Sequence, residues 1–464
     1  MRGCMLDPSV LREYDIRGIV GDTLTIDGVR GAGRAFGTMV VRNGGRSVAV
    51  GYDGRLSSPA LEAALVEGLS SAGVTVYRIG LGPTPMLYFA AHHLGAGGGM
   101  MITGSHNPPE YNGIKMVLAG KAFYGESILE LGRMVSAGDF VDGEGAVETV
   151  DVTDAYLDRL VQDLPPGRAL SVAWDPGNGA AGAVLRRLCD RLPGRHHLIN
   201  EPVDGTFPSH HPDPTVEANL ADLKASVARH ACDLGIGFDG DGDRIGVIDG
   251  EGRVVWGDQL LTILAQPILR EIPGATIIAD VKSSQVFFDE IERLGGKPLM
   301  SRTGHSLIKT LLAKTGAPLA GEMSGHIFFA HRYFGFDDAL YAAVRLLAVL
   351  MTDDRTIAQM LSALPKMVNT PELRIDCPDE RKFSVIEEVR GRLRGVAGIS
   401  VQEIDGVRVN TDDGWWLLRA SNTQPVLVGR CEASDDAKLN RLTAELVRQL
   451  SLSGIEARDL CGSH

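Results

Sequence analysis

One local arrangement recurs along this chain, and it limits the possible folds more than any other feature. A short apolar or β-branched run ends in a polar, glycine-rich loop, and a segment of helical periodicity follows. SVAVGYD (47–53) leads through Ser58-Pro59, read as an N-cap and first-turn proline, into ALEAALVEGLSSAG. GGMMITGSH (98–106), ALSVAWDPGNG (169–179) before AAGAVLRRLCDRL, and TIIADVKSSQ (276–285) before VFFDEIERLGG repeat the layout. This is α/β grammar, in which ligands collect beyond the C-terminal ends of the strands.

The 464 residues exceed what one hydrophobic core supports. The recurrence therefore predicts three similar domains of about 100 to 150 residues each. After about residue 365 the pattern changes. The short runs ISVQEID, VRVN, WWLLRAS and VLVGRCEA lie between the helical stretches KFSVIEEVRGRL and DAKLNRLTAELVRQL, which reads as a separate α+β domain. The expected divisions are 1–150, 151–253, 254–365 and 366–464, at the polar stretch GDFVDGEGAVETVD, the turn after VIDGEGR, and LPKMVNTPE.

Composition removes several function classes. No apolar run approaches the roughly 18 residues of a membrane span, and charges stand in MRGCMLDPSVLREYD where a signal peptide is apolar. The expectation is a cytoplasmic protein without a membrane role. Cys4, Cys189, Cys232, Cys377, Cys431 and Cys461 form no CxxC pair and read as reduced packing or surface residues. A formal charge of −13 repels polyanions, so nucleic acid is an unlikely partner. A small anionic substrate needs local Arg and Lys acting against that field.

Thr103-Gly104-Ser105-His106-Asn107-Pro108-Pro109 follows an apolar strand and is too rich in glycine and proline to extend it, so Ser105 sits on a sharp loop. There it can be a nucleophile, a phosphoryl carrier or a turn residue whose hydroxyl caps the backbone. Neither this segment nor Gly321-Glu322-Met323-Ser324-Gly325 matches the G-x-S-x-G elbow of serine hydrolases. An activated Ser105 then points to phosphoryl chemistry, which calls for a divalent metal.

Asp239-Gly240-Asp241-Gly242-Asp243-Arg244 lies between the apolar runs LGIGF and IGVID. Alternating glycines let three carboxylates converge on one hard cation. An EF-hand loop requires glycine and glutamate where Arg244 and Gly250 stand, so calcium buffering is disfavoured. Three carboxylates suit Mg²⁺ that shares a ligand with phosphate.

Cations lie beside these loops: Arg17 in YDIRG, Lys115 in NGIKM, Arg244, Lys282 in DVKSS and Arg419 in RASNTQP. Arg419-Ala420-Ser421-Asn422-Thr423 joins a guanidinium, hydroxyls and an amide at a strand end, which suits a phosphate or makes a plain turn. Glu322, Ser324 and His326 of GEMSGH could grip sugar hydroxyls. Both His326 and His305 of RTGHS also read as buried, satisfied histidines.

Taken in order, YDIRG, TGSHNPPEYNGIKM, DGDGDR, RTGHS, GEMSGH and RASNTQP resemble the α-D-phosphohexomutase superfamily over essentially the whole chain, most closely its bacterial phosphomannomutase/phosphoglucomutase branch. The resemblance implies three related mixed-sheet α/β domains and a C-terminal α+β domain of TATA-binding-protein type around a central cleft. It implies a monomer whose Ser105 is a phosphoserine, with Asp239, Asp241 and Asp243 holding Mg²⁺ beside it and Ser105 completing the metal set. Glu322 and Ser324 would bind sugar hydroxyls O3 and O4, and Arg419, Ser421, Asn422 and Thr423 the distal phosphate. Tyr14, Arg17, Lys115, Arg244, Lys282, His305 and His326 would line the cleft, with Lys115, His305 and His326 as candidate acids and bases.

The implied reaction interconverts hexose 1-phosphate and hexose 6-phosphate of mannose or glucose. It passes through glucose 1,6-bisphosphate or mannose 1,6-bisphosphate, which turns around in the site. Glucosamine mutases of the superfamily show GEQSGH-like and RASGTEP-like loops, from which Met323, Asn422 and Gln424 depart.

Overall fold

The computed structural model describes residues 6–422 and 424–456. Thr423, Cys4 and Cys461 therefore lie outside the described residues. The four other cysteines are buried and unpaired with one another. Among the described residues no helix is long and apolar enough to cross a membrane.

The recurring sequence layout becomes one topology built three times. In the first sheet Ser47–Tyr52 is flanked by the parallel strands Thr75–Leu81 and Gly98–Ile102, and Tyr111–Leu118 runs antiparallel beside the latter. In the second, Leu170–Asp175 is flanked by Gly194–Leu198 and Leu234–Phe238, with Ile245–Asp249 antiparallel. In the third, Thr276–Asp280 lies between Lys297–Ser301 and Leu319–Gly321, with Ile327–Phe329 antiparallel. The first sheet also gains Ile16–Ile19 beyond Tyr111–Leu118 and Val147–Thr149 beyond Thr75–Leu81.

Strand side chains alternate between faces, and each face packs elsewhere. Val48, Val50, Met100 and Ile102 enter a core of the first unit alone. Their neighbours Ala49 and Met101 enter a larger core that also takes Val172, Trp174 and Ile236 of the second sheet and Ile277, Ala279 and Leu319 of the third. One continuous apolar cluster thus fastens one face of all three sheets together.

The helix after the first central strand spans Ser58–Ser70, so Ser58 is inside it and Ser57 takes the cap position without a side-chain cap bond. The expected N-cap moves back by one residue because the Ser58 hydroxyl is used elsewhere: it donates to Asp53 Oδ1 at 2.5 Å.

The last unit is a six-stranded antiparallel sheet with the helices Asp379–Leu393 and Asp436–Leu452. The four runs read as strands appear as Ser400–Gln402, Val407–Thr411, Gly414–Ala420 and Val426–Ala433, joined by the short Val368–Asn369 and Leu373–Asp376. A fully buried arginine ties this unit to the third. Arg408 stacks 3.8 Å above the Trp415 ring and donates to the carbonyls of Val281 and Ser283, both at 2.7 Å. The loop that carries Lys282 is held from the last unit.

Candidate active site

The polar loops that matter occupy equivalent places. In each α/β unit, the loop joining the third parallel strand to the antiparallel fourth carries the candidate chemistry: Ser105 in the first, Asp239 to Arg244 in the second, Glu322 to His326 in the third. The central strands of the first and third units each end in an aspartate that steadies this loop. Asp53 Oδ2 accepts from Gly104 N at 2.9 Å, and Asp280 Oδ1 from Met323 N at 3.2 Å.

Ser105 has φ of 49°, a left-handed conformation uncommon for a residue with a Cβ. It is buried, and its Oγ donates to Asp239 Oδ2 at 2.8 Å. Asp239 Oδ1 accepts from the backbone N–H groups of Asp243 and Arg244 at 3.1 and 3.2 Å. Asp241 Oδ2 accepts from Thr84 Oγ1 at 2.6 Å, Thr103 Oγ1 at 3.0 Å and Lys115 Nζ at 2.7 Å. Lys115 also donates to Asp243 Oδ2.

Burial and the neighbouring Asp241 and Asp243 push the Asp239 carboxyl well above the ordinary carboxylate range. Asp241 moves the opposite way: burial opposes its charge, but Lys115 and the hydroxyls of Thr84 and Thr103 together outweigh burial and hold it below. Burial likewise opposes the Lys115 ammonium, and Asp241 with Asp243 outweighs it, so Lys115 stays charged.

The residues fit a hard divalent cation. Carboxylate oxygens of the three aspartates lie within 4.8 Å of one another, and Asp241 Oδ1 and Asp243 Oδ1 are buried without a hydrogen-bond partner. Buried anionic oxygens left this way are costly unless a cation meets them, and an all-oxygen set suits a hard one.

Beyond the triad, Arg244 Nε donates to His326 Nε2 at 3.0 Å. With Nε2 accepting, the ring proton belongs on Nδ1, which lies 3.0 Å from Asp337 Oδ2. Asp337 also accepts from Lys309 at 2.9 Å and faces His305 Nδ1 at 3.7 Å. Burial and the nearby Lys309 hold His305 well below the usual histidine range, hence neutral. Its ring stacks on His326 at 5.5 Å and meets the edge of Tyr14 at 5.7 Å.

Lys282 and Arg419 rest on carboxylates of the last unit. Lys282 Nζ donates to Glu372 Oε2 at 3.0 Å, and Arg419 Nε to Asp405 Oδ2 at 2.9 Å. Lys282 draws the Glu372 carboxyl down to about 2. Asn422 Nδ2 donates to Tyr14 Oη at 2.8 Å, joining the last unit to the first. Burial pushes the Tyr14 phenol up to about 12.

Four domain families described as phosphoglucomutase/phosphomannomutase match in order: alpha/beta/alpha domains I, II and III over residues 9–140, 154–252 and 256–368, and the C-terminal domain over 372–449. A phosphomannomutase/phosphoglucomutase of Pseudomonas aeruginosa is 44% identical over 445 residues, 96% of each chain. That of Pseudomonas putida is 46% identical over 438 residues, 94% of each. The crystal structure of a phosphoglucomutase/phosphomannomutase family protein from Burkholderia thailandensis superposes with a TM-score of 0.91 at 43% identity, covering 97% of this chain and 98% of its own.

The chain belongs to the phosphoglucomutase/phosphomannomutase family. The fold expected from the resemblance, three mixed-sheet α/β units and a distinct C-terminal α+β unit, is the fold of this phosphohexomutase.

Of the residues singled out in the sequence, Ser105, Asp239, Asp241, Asp243 and Lys115 meet in one cluster, with Arg244 and His326 adjoining it. Glu322 and Ser324 are bonded to each other at 3.0 Å. Ser421 Oγ accepts from Gln424 N at 3.2 Å. Arg17 is paired with Asp15 and touches none of the others by a hydrogen bond among the described residues.

Several residues escaped the sequence reading. Thr84 and Thr103 are hydroxyl partners of Asp241, and Asp213 lies 3.0 Å from His106 Nδ1. Asp337 gathers Lys309 and both histidines, while Glu372 and Asp405 hold Lys282 and Arg419. Only Thr103 and His106 lie inside a recognisable motif; the others are joined to it by tertiary contact alone.

Proposed function

We propose that this phosphohexomutase works through Ser105 as its phosphoryl carrier. The enzyme interconverts hexose 1-phosphate and hexose 6-phosphate, as its family and its relatives of 44 and 46% identity indicate. The observation that carries the proposal is the placement of a buried, left-handed serine hydroxyl 2.8 Å from a buried three-aspartate cluster with two unpartnered oxygens.

Phosphorylated Ser105 gives its phosphoryl group to O6 of the hexose 1-phosphate, breaking the Ser105 O–P bond and forming the 1,6-bisphosphate. After the intermediate turns around, its 1-phosphoryl group returns to Ser105 and leaves the 6-phosphate. Asp239, Asp241, Asp243 and the Ser105 oxygen would hold Mg²⁺, which supplies neutralisation of phosphoryl charge when bound. Lys115, kept charged between Asp241 and Asp243, adds positive charge beside the reacting group and is a poor base.

His326 is assigned the proton of the attacking hydroxyl. Its Nε2 lone pair is held toward Arg244, and it becomes free when that guanidinium turns to a phosphate. Lys282, Arg419, Ser421, Asn422 and Thr423 bind the nonreacting phosphate, while Glu322 and Ser324 hold O3 and O4. Tyr14, Arg17 and His305 line the path between them. Gripping O3 and O4 without O2 admits both glucose and mannose.

Under the same reading the four units divide near residues 150, 253 and 365, and the enzyme acts as a cytoplasmic monomer with phosphohexose substrates. The deciding experiment is turnover of glucose 1-phosphate, mannose 1-phosphate and glucosamine 1-phosphate with Mg²⁺ and a 1,6-bisphosphate activator. The first two are expected to react and the third to lag. A preference for glucosamine 1-phosphate would make the phosphoglucosamine mutase reading correct instead.

A further inference from the structure

The Ser105 loop poses a problem that the family motif does not solve. Its left-handed turn sends the carbonyls of Ser105, Asn107, Pro108 and Tyr111 toward one point, and one buried side chain donates to all four. Arg55 Nη2 donates to Ser105 O at 2.9 Å and to Asn107 O at 2.5 Å. Its Nη1 donates to Pro108 O at 2.5 Å and to Tyr111 O at 2.9 Å.

The guanidinium is fully buried, and its Nε lies 3.3 Å from Asp53 Oδ2. Asp53 Oδ2 is also the acceptor for Gly104 N, so the same ion pair grips both ends of the turn. A buried charge is retained only when it is paired and its donors are used. Here both terminal nitrogens of the planar fork donate twice, a geometry that an ammonium cannot reproduce.

Contacts on either side of Arg55 are equally close. A Cβ on Gly104 would stand 2.3 Å from Arg55 Nε and 2.4 Å from its Cζ, so the guanidinium lies flat against a position that admits only glycine. From the second unit, the Phe207 ring covers the guanidinium at 5.1 Å. A Cβ on Gly205 would stand 2.5 Å from Gly54 O, so the backbones of the two units touch beside Arg55. Arg55 therefore sits where the serine loop, its own strand end and the unit that carries the aspartates come together.

We propose that Arg55 is a positioning residue for phosphoryl transfer: it holds the Ser105 loop in the one backbone shape that keeps the serine oxygen on the aspartate cluster. Its bond to Ser105 is to the backbone carbonyl and not to the hydroxyl that reacts, so it acts through the loop. Because it binds carbonyls and not the hydroxyl, it supports the loop whether Ser105 is phosphorylated or free. A displacement of about 1 Å in a reacting group costs on the order of 100-fold in rate. Loss of the fork is therefore read in kcat, while the phosphate and sugar contacts that set KM lie on other loops.

The inference rests on the phosphoserine reading, and the experiment separates the two. Steady-state turnover of glucose 1-phosphate with Mg²⁺ and glucose 1,6-bisphosphate is measured for Ser105→Ala, Arg55→Met, Arg55→Lys and Asp53→Asn, each checked for folding by thermal melting. Full activity in Ser105→Ala refutes the phosphoserine reading itself. With Ser105→Ala inactive, Arg55→Met is expected to lose about 100-fold in kcat with KM within about threefold, and Arg55→Lys to recover less than about tenfold of the loss.

Turnover of Arg55→Met within about threefold of wild type overturns the proposal, as does a KM that rises in step with the fall in kcat. If neither Arg55 variant folds, Asp53→Asn decides: a fall of about tenfold in kcat at unchanged KM supports the proposal, and wild-type turnover overturns it.

Discussion

The first two units and the last two hold their charges differently. Around Ser105, every carboxylate of the triad is fully buried and tied to a hydroxyl, a backbone N–H or Lys115 across the boundary between units. On the other side, Lys282 and Arg419, the cations proposed to bind phosphate, pair with Glu372 and Asp405, and Glu372 keeps about a third of its side-chain surface in solvent. The reacting half is locked before substrate arrives. The binding half is paired in a way that an incoming phosphate, itself an anion with better charge-assisted geometry, can replace. Under the proposed roles, geometry is fixed where bonds are made and exchangeable where the bisphosphate would turn around.

The sharpest way to break that comparison is Ser105→Ala. It removes the group that carries the phosphoryl, and turnover should fall by at least about 10³-fold with bisphosphate present. Retention of more than about a tenth of wild-type kcat removes the locked half from the mechanism. Next is Asp241→Asn, which takes away one charge from the cluster and the main partner of Lys115. A loss of about 100-fold in kcat is expected, with a higher Mg²⁺ concentration needed for half-maximal rate. Activity of the wild type that persists in excess chelator would contradict the metal assignment.

Much of the locked half was legible because its parts are local. Glycine and proline stop the strands where polar residues gather, and three aspartates two residues apart converge only on a tight loop. The threefold repetition of strand order, by contrast, is visible in the layout and not in residue identity, since what recurs is which strand pairs with which. The supports were not legible. Arg55 meets carbonyls fifty or more residues away, Thr84 meets Asp241, and Asp337 meets two histidines from separate elements; no local period marks such a residue. Local pattern also misplaced the cap at Ser58, which lies inside the helix with its hydroxyl bonded to Asp53.

In the exchangeable half, Arg419→Ala should act on binding. A charge-assisted contact to phosphate contributes about 1.5–3 kcal/mol, which predicts a KM raised about tenfold or more. The change in kcat should be smaller, because the chemistry takes place at the Ser105 loop. Arg419→Lys should restore part of the affinity, since a point charge keeps attraction but loses the fork that now holds Asp405. A normal KM with a depressed kcat would reverse the assignment and place Arg419 with the reacting half.

The smallest effect is expected at the seam between the second and third units. Asp338 caps the helix Ala339–Thr352 through Tyr341 N at 2.9 Å and accepts from Tyr156 Oη of the second unit at 3.0 Å and Tyr333 Oη at 2.7 Å. These donors are neutral, and burial pushes the carboxyl up to about 6. The folded state therefore holds this proton where the unfolded chain has lost it, so stability from this group is greatest below about pH 4 and declines as pH rises through about 6. Asp338→Asn keeps an acceptor for the cap and removes the buried charge. Against wild type it should gain about 1–2 kcal/mol of relative stability between pH 4.5 and pH 8, because the cost of one weakened hydrogen bond is the same at both and cancels in that difference. Calorimetric unfolding across that pH range checks it. Parallel pH profiles for the two proteins would mean that the Asp338 carboxyl carries no titrating charge at the seam.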